Sequence, residues 1–336
     1  MSIYIKSAFS ISPYKYDGNN ILKEGDRGYE RYACTEPDYD KIIDPSVSRR
    51  WSRILKMGMA TAQGALKEAG NPEIDAIITG TGYGYTEDTI KFLSRMTSPE
   101  VRGMNPTAFI QSTYNSISSI IALTLKNQGY NNTFVHSGFS FESVLEDAIL
   151  LLKSGEAGNV LIGGLDELTD QVFELLQRIE KAHTRSITWA NRKDPVEKTG
   201  YGEGSSFFVL SDIPECEKPI ELSEFRTFYS PSENVLSDYF NEVSEREKPG
   251  LILTGESSFF SNKLSYSWLN DKSVQRKLRY KDLCGEYPTA SGFGLWLAVK
   301  LLSDENNTDH LKTNSIVIYN CFAKRYHSFI SLKKIE

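Results

Sequence analysis

Residues 131–164 indicate the fold. They read Asn131-Asn-Thr-Phe-Val-His-Ser-Gly-Phe-Ser140, Phe141-Glu-Ser-Val-Leu-Glu-Asp-Ala-Ile-Leu150, Leu151-Leu-Lys-Ser-Gly-Glu-Ala-Gly-Asn-Val160 and Leu161-Ile-Gly-Gly164. Thr133 to Val135 are β-branched or aromatic, which is typical of a short buried strand. After Ser140, apolar residues recur at helical spacing, and Gly155 predicts the end of that helix. Val160 to Ile162 predict a second strand, so the stretch forms a strand–helix–strand unit.

The turn between the first strand and the helix places Gly138 at a helix N-terminus. An enzyme would carry its nucleophile there, because the positive end of the helix dipole stabilises developing negative charge. Glycine has no reactive group. We therefore expect the framework of a catalytic elbow without its chemistry.

Strand and helix patterns alternate along the rest of the chain, which favours an α/β fold. The order of elements repeats, so we predict two similar halves, residues 1–212 and 213–336. The predicted strands include Ile74–Gly80, Ser206–Leu210, Leu251–Leu253, Ser315–Tyr319 and Ser328–Leu332. The predicted helices include Ser48–Glu68, a single helix over Asn105–Gly129, Thr169–Lys181, Val235–Glu245, Lys263–Leu269 and Gly292–Ser303.

The bulk composition is that of a globular protein with a substantial core. The chain has 336 residues, of which 40% are hydrophobic and 24% charged. No apolar run approaches the roughly 20 residues that span a bilayer, and the N-terminus is unlike a secretory signal, so we expect a cytoplasmic protein. A net charge of −6 argues against a nucleic-acid partner.

The sequence predicts neither a metal site nor a cofactor. Four cysteines (Cys34, Cys216, Cys284 and Cys321) and four histidines (His136, His183, His310 and His327) lie far apart, with no spacing typical of a zinc site or a disulfide framework. The glycines of Gly80-Thr-Gly-Tyr-Gly84 fit neither the dinucleotide fingerprint nor the phosphate-binding loop.

Several of these segments resemble, in order and spacing, the β-ketoacyl synthases, which are condensing enzymes of the thiolase fold. Gly80–Gly84 is similar to the family's first glycine turn, and Asn105–Gly129 to its dimer-interface helix. Asp194-Pro195 with Gly202–Gly204 is similar to the approach to its central strand, and Gly155–Gly164 to the strand after its nucleophile helix. The resemblance implies a five-layer αβαβα sandwich of two pseudo-duplicated halves.

The catalytic set of the family is missing at the matching positions. Such enzymes carry a cysteine at the elbow and two histidines, and these positions fall on Gly138, Thr254 and Glu286. The family lysine is retained as Lys281, and its gating phenylalanine matches Phe322 in a turn that has lost its glycines. Removing one member of a nucleophile–base set can cost on the order of a millionfold in rate, so we expect no intact catalytic residue.

Two residues could carry relocated chemistry. Ser137 precedes Gly138, but no histidine at a matching position would activate it. Cys284 lies two residues before Glu286 and could be acylated, although a small buried thiol is the simpler interpretation. We interpret His136 and His327 as locally hydrogen-bonded histidines and not as bases.

The resemblance therefore indicates a non-catalytic partner of an active ketosynthase, similar to the chain-length factors of type II polyketide and aryl-polyene pathways. Such a subunit forms a heterodimer and meets the acyl carrier protein only indirectly; a homodimer is the alternative. Phe109, Thr113, Ser116 and Phe322 would line the substrate tunnel. An acyltransferase using Cys284 or Ser137, and a standalone acyl-binding scaffold, remain as other hypotheses.

Overall fold

The computed structural model describes residues 2–16, 31–97, 106–187, 200–214, 218–257, 266–270, 276–304 and 313–335. The strands of the first half are β1 Tyr4–Ile11, β2 Arg31–Tyr32, β3 Ala76–Gly80, β4 Tyr130–Phe134, β5 Asn159–Asp166, β6 Tyr201–Gly202 and β7 Gly204–Ser211. Its helices are α1 Pro45–Ser48, α2 Arg53–Glu68, α3 Thr86–Thr97, α4 Pro106–Gln111, α5 Ser116–Leu125, α6 Ser140–Ser154 and α7 Asp170–Ile187.

The second half repeats this alternation with fewer elements. Its strands are β8 Ile220–Tyr229, β9 Leu251–Gly255, β10 Lys277–Arg279, β11 Ser315–Phe322 and β12 Tyr326–Lys334. Its helices are α8 Glu233–Glu247, α9 Lys281–Cys284 and α10 Ala290–Ser303. A two-stranded parallel sheet of β2 and β6 lies apart from the main sheets.

The two halves share one strand order. In the first half the order is β1-β7-β5-β3-β4, and in the second it is β8-β12-β11-β9-β10. If each set is numbered along the chain, both read 1-5-4-2-3, which is the mark of a duplicated unit. The two sheets join only where β1 pairs with β8, over Tyr4↔Glu221 and Ile5↔Ile220.

Helices cover both faces of both sheets, which gives five layers. The central layer consists of α6, packed on β5 and β3, and α10, packed on strands of both sheets. The outer layers consist of α2 and α5 on one side and α8 on the other. Strand residues alternate between cores accordingly: Ile77 faces the outer core while Ile78 faces the central one, and both are fully buried.

The fold confirms the predicted thiolase-like αβαβα sandwich and corrects two of the predicted helices. The helix predicted over Ser48–Glu68 begins only at Arg53, because α1 ends at Ser48 and residues 49–52 are not helical. The single helix predicted over Asn105–Gly129 is two helices, α4 and α5, separated by a turn. Hydroxyl groups explain the break, because Ser112 Oγ and Thr113 Oγ1 donate to the carbonyls of Phe109 and Ile110, at 2.8 and 2.7 Å. Such side-chain bonds compete with the helical ladder.

Some predicted features lie outside the described residues, among them Asp194-Pro195, Cys216, His310, residues 258–265 and the side chain of His183. The division of the chain at residue 212 remains a proposal; β7 ends at Ser211 and β8 begins at Ile220. Among the described residues, no helix is both long enough and apolar enough to span a membrane.

Candidate functional site

Gly138 lies buried in a 3₁₀ turn, Ser137–Phe139, that leads directly into α6. A side chain has no room there. A Cβ atom built on Gly138 would lie 2.6 Å from Cδ1 of Phe322 and 2.9 Å from Cγ of Tyr326. Real Cβ atoms do not approach other heavy atoms so closely, so aromatic rings occupy the space that a nucleophile at residue 138 would need.

Four aromatic side chains form what we call the aromatic plug: Phe139, Tyr229, Phe322 and Tyr326. The rings of Phe139 and Tyr326 meet edge to face with centroids 4.9 Å apart, and Tyr326 also meets Tyr229 at 5.4 Å. Phe322 and Tyr326 are opposite one another at the end of the β11–β12 hairpin. The plug therefore runs from the exposed Tyr229 inward to Gly138.

Lys281 and Glu286 form a fully buried ion pair. Lys281 Nζ lies 3.1 Å from Glu286 Oε1 and donates a second hydrogen bond to the carbonyl oxygen of Cys321, at 2.6 Å. Burial raises the pKa of Glu286 above its usual value, and the Lys281 ammonium opposes that rise. Lys281 thus pairs with Oε1 of the carboxylate that stands at the position of the second family histidine.

Thr254 lies near the end of β9, and its backbone carbonyl accepts a hydrogen bond from the backbone N–H of Tyr280, the residue before Lys281. Its hydroxyl is buried and has no hydrogen-bond partner within the described part of the chain. A threonine hydroxyl cannot act as a base near neutral pH. The structure thus connects Thr254, Lys281, Glu286, Phe322 and Gly138 through adjoining contacts at one end of the two sheets.

Glu142 on α6 adds a buried carboxylate to this end of the molecule. Its Oε1 accepts hydrogen bonds from Ser328 Oγ at 2.8 Å and from Asn320 Nδ2 at 3.3 Å. Asn320 Oδ1 in turn accepts from the Tyr280 hydroxyl at 2.7 Å. Burial raises the pKa of Glu142, while these donors favour its ionised form. Both strands of the β11–β12 hairpin are therefore held to the central helix layer.

Asp166, at the end of β5, fixes the glycine turn that follows β3. Its Oδ1 accepts from the backbone N–H groups of Gly82 and Tyr83 at 2.8 and 2.7 Å, and from Thr81 Oγ1. Its Oδ2 accepts from the backbone and side chain of Thr289. The sequence identified neither Glu142 nor Asp166, although each is a charged residue within a run that otherwise faces the core.

The surroundings of Cys284 and Ser137, the two candidates for relocated chemistry, do not favour a reactive nucleophile. Cys284 is fully buried, and burial raises the pKa of its thiol well above the usual value, so little reactive thiolate forms. Ser137 is exposed and has a left-handed backbone with φ of 52°. The ring of the neighbouring His136 has its Nδ1 3.2 Å from Ser143 Oγ.

His327 is buried in the hairpin, where it is hydrogen-bonded at both ring nitrogens. Its Nε2 lies 3.3 Å from the carbonyl oxygen of Lys324, which can only accept, so Nε2 carries the proton. Its Nδ1 then accepts from the Tyr319 hydroxyl at 2.9 Å. Burial lowers the pKa of His327 to about 4, so the ring is neutral near pH 7.

The residues expected to line a tunnel lie around the α4–α5 turn. Phe109 is 54% exposed, and its ring meets Phe92 of α3 with centroids 5.2 Å apart. Thr113 is exposed, whereas Ser116 is buried and donates to the carbonyl of Ile110 at 2.9 Å. Phe322 is the one residue of the predicted set that contacts Gly138.

The same region carries a set of exposed apolar side chains beside an unpaired sheet edge. Because β4 is the last strand of its sheet, it pairs with β3 and leaves its other edge open among the described residues. We call the following side chains on α3, α4, the α4–α5 turn and the end of β4 the apolar face: Leu93, Met96, Phe109, Ile110, Tyr114 and Val135, each more than 40% exposed.

A basic pocket of about 650 Å³ opens between the start of α2, α3 and α4. Four basic side chains line it: Arg49, Arg50, Lys91 and Arg95. The buried carboxylate of Asp88 lies at its wall. Among the described residues, no group of three or more histidine, cysteine or acidic side chains is arranged to hold a metal ion.

One known protein family matches part of the first half of the chain. The family described as "Beta-ketoacyl synthase, N-terminal domain" matches residues 30–194. None of the curated proteins matches the sequence.

Solved structures match over the whole chain at low sequence identity. The ishigamide ketosynthase/chain length factor has a TM-score of 0.74 at 14% identity, with 100% of each chain covered. A type II polyketide ketosynthase bound to its acyl-carrier protein, AntDE:AntF, has a TM-score of 0.74 at 16% identity, with 99% of each chain covered. The ketosynthase ApeO in complex with its chain length factor ApeC, from Xenorhabdus doucetiae, has a TM-score of 0.65 at 14% identity, covering 99% of this chain and 98% of that one.

These structures share the fold, and the family match covers the elbow, the glycine turn and the α3–α5 region. Residues 30–194 thus match the N-terminal domain of β-ketoacyl synthases, and the whole chain has the thiolase-like fold of these structures.

Proposed function

We propose that this protein is a non-catalytic β-ketoacyl synthase homologue that pairs with an active ketosynthase in a type II fatty-acid or polyketide pathway. The observation that carries the proposal is the filled elbow: Phe322 and Tyr326 occupy the space beside Gly138 where a nucleophile would lie. The buried Lys281–Glu286 pair at the other family positions supports it, because a carboxylate there would repel a developing enolate. The role would then be like that of a chain-length factor.

The apolar face and the open edge of β4 are the surfaces that a partner would cover. An unpaired edge next to exposed large apolar side chains is an aggregation hazard unless another chain pairs with it. Obligate interfaces of this kind bury roughly 2,000 to 5,000 Å². A ketosynthase subunit fits, since it would offer an equivalent edge across a pseudo-two-fold axis; a second copy of this chain would do the same.

Co-expression with an intact ketosynthase encoded beside this chain, followed by size-exclusion chromatography with light scattering, tests the pairing. We expect a one-to-one heterodimer at micromolar concentration. Ile110→Glu in the apolar face should disrupt it, whereas Leu150→Glu, at a residue that is equally exposed on α6, should not. A monomer in both the single and the co-expressed preparation would contradict the proposal, and a stable self-pair that ignores the ketosynthase would favour the homodimer.

We propose further that Phe109, Thr113 and Ser116 lie where the partner's growing acyl chain ends. Phe109 and Thr113 are exposed beside the partner surface, so their side chains could meet that chain at the interface. A larger side chain in the space where the acyl chain ends should stop elongation earlier, because the close-packed atoms around that space do not move aside for an added ring. With the pair supplied with acyl carrier protein and malonyl units, Thr113→Phe should shorten the product and Phe109→Ala should lengthen it.

Product mass by mass spectrometry is the measurement, and Leu150→Ala is the control that changes an exposed apolar residue elsewhere. Unchanged product length in both variants, with the complex still formed, would make this subunit a scaffold and not a ruler. Buried Ser116 is a poorer choice for an added ring, because its hydroxyl is bonded within its own turn.

The competing function is acyl transfer by Cys284 or Ser137. It predicts turnover of acyl thioesters by the chain alone that Cys284→Ala or Ser137→Ala abolishes. We expect no turnover above a buffer control, since the Cys284 thiol is fully buried and no base lies at a matching position for Ser137.

A further inference from the structure

The ion pair Lys281–Glu286 reaches the aromatic plug through a backbone carbonyl. Lys281 Nζ donates to the oxygen of Cys321 at 2.6 Å, and Cys321 directly precedes Phe322. The same ammonium is held by Glu286 Oε1 at 3.1 Å, and both side chains are at most 1% exposed. Because this hydrogen bond holds the carbonyl of Cys321, it also restrains the backbone of Phe322, whose ring packs against Gly138.

Glu286 is itself anchored to the first half of the chain. Its backbone carbonyl accepts from the N–H of Gly202 at 2.9 Å, and its N–H donates to the carbonyl of Gly200 at 2.8 Å. The ion pair therefore links the segment before β7 to the end of β11. This link crosses between the two halves at the level of the elbow.

The backbone conformation at the tip of the hairpin is unfavourable for the residues that occupy it, so the turn alone does not hold the aromatic plug in place. Ala323 and Lys324 both have positive φ, at 48° and 55°, a conformation that costs a residue other than glycine about 1–2 kcal/mol. Phe322 and Tyr326, which flank this turn, depend on contacts outside it to keep their positions. The ion pair supplies one of these contacts and the Glu142 hydrogen bonds supply another.

A buried ion pair is weak as a source of stability, since the loss of hydration offsets most of the attraction between the charges. One attested use of such a pair is to specify one arrangement over others. We propose that Lys281 and Glu286 are positioning residues that hold the end of the β11–β12 hairpin so that Phe322 and Tyr326 close the elbow over Gly138. The inference concerns this chain alone and does not depend on a ketosynthase partner.

Replacing both charges tests the positioning role without leaving an unpaired charge in the core. In Lys281→Met/Glu286→Leu, hydrogen exchange of amides in residues 319–328 should become at least tenfold faster, while the amides of β7 stay protected. Alkylation of Cys321 by iodoacetamide, mapped by peptide mass spectrometry, should accelerate in parallel, because this thiol is fully buried beside the pair. Unchanged exchange and alkylation in the folded variant would overturn the proposal.

The control removes another pair of the same kind of charges. Lys300→Met/Glu68→Leu breaks the Lys300–Glu68 pair, also at 3.1 Å, which joins α10 to α2 away from the hairpin. It should leave residues 319–328 unchanged; equal acceleration in both double variants would mean general loosening and would overturn the positioning role.

A milder variant decides the matter if the double variant fails to fold. Glu286→Gln keeps an oxygen that accepts from Lys281 but removes the negative charge. Faster exchange confined to residues 319–328 supports the role, and wild-type exchange there contradicts it.

Discussion

Gly138 is the residue at which the sequence departs most plainly from the catalytic set that the resemblance implies. In place of a nucleophile it has a backbone against which two aromatic rings pack, with less than 3 Å between them and any added Cβ. Lack of space, as well as the residue type, therefore excludes a nucleophilic side chain at position 138. Restoring a cysteine alone would not restore a site, because Phe322 and Tyr326 would have to move first.

The first prediction is a double-mutant cycle between Gly138 and Phe322. Gly138→Ala should destabilise the fold by about 1–3 kcal/mol through overpacking. Adding Phe322→Ala should recover part of that loss, because it removes the closest contact. Chemical denaturation measures each variant. Gly158→Ala is the control and should be nearly neutral, since its Cβ would meet nothing closer than 3.6 Å; additive effects at 138 and 322 would count against the packed elbow.

The second prediction concerns His327 and pH. Its pKa is about 4 in the folded protein and near 6.5 when exposed, so the unfolded chain binds a proton that the folded one does not between those values. The contribution of His327 is thus fully present above pH 6.5 and is lost as the pH falls towards 4. The free energy of unfolding of His327→Gln should fall less steeply than that of the wild type across this window. Parallel curves would show that His327 titrates normally.

At the scale of elements, the β11–β12 hairpin is where this chain differs most from what the resemblance implies. The turn that should contain glycines contains Ala323 and Lys324 in left-handed conformation. Hairpin turns that need positive φ favour glycine or asparagine, because other residues are strained there. The hairpin keeps its geometry through Lys281 and Glu142, which reach it from different elements.

The third prediction follows from that strain. Ala323→Gly should raise the free energy of unfolding by up to about 1 kcal/mol, because relief at positive φ exceeds the added entropy of the unfolded chain. Ala122→Gly in α5 is the matched control and should lower stability by about 1 kcal/mol, since its helical backbone gains nothing from glycine. Thermal or chemical unfolding gives both values, and a loss of stability at residue 323 would refute the assignment of strain.

Sequence patterns predicted elements well where one face is apolar and ends are marked. The α6 helix begins at Ser140 and is followed by Gly155 with φ of 74°, as its spacing and glycine indicate. The same patterns miss the helix break at residues 112–115, where serine and threonine hydroxyls donate to preceding carbonyls and divide one predicted helix into two. The positions of Gly138, Lys281 and Glu286 along the chain could be predicted, but the packing of Tyr326 and the tether at Glu142 could not. Those contacts join residues almost two hundred positions apart, and no local pattern encodes them.

At the scale of the whole molecule, two features of the first half are open to solvent among the described residues. The apolar face lies beside the open edge of β4, and the basic pocket opens between α2, α3 and α4. Under the proposed function, the four basic side chains of the pocket would attract an anionic surface of the acyl carrier protein, a direct contact that goes beyond the indirect one expected from the sequence.

The fourth prediction tests that pocket. Arg49→Glu/Arg50→Glu should weaken binding of the acyl-loaded carrier protein to the ketosynthase pair about tenfold, mostly through a slower association rate. The effect should shrink at high salt, because exposed charges are screened. Lys153→Glu, at an exposed position on α6 outside the pocket, is the control. Binding that is unchanged in the double variant would place the carrier elsewhere.

Condensation of acyl and malonyl carrier thioesters tests most directly whether this protein is a non-catalytic subunit. It is measured in three preparations: this chain alone, the ketosynthase alone, and the two together. Mass spectrometry of the products gives both rate and chain length. We predict no product from this chain alone, and from the pair a product whose length changes with Thr113→Phe or Phe109→Ala in this subunit. Turnover by this chain alone, retained after dialysis and absent in Cys284→Ala or Ser137→Ala, would contradict the account.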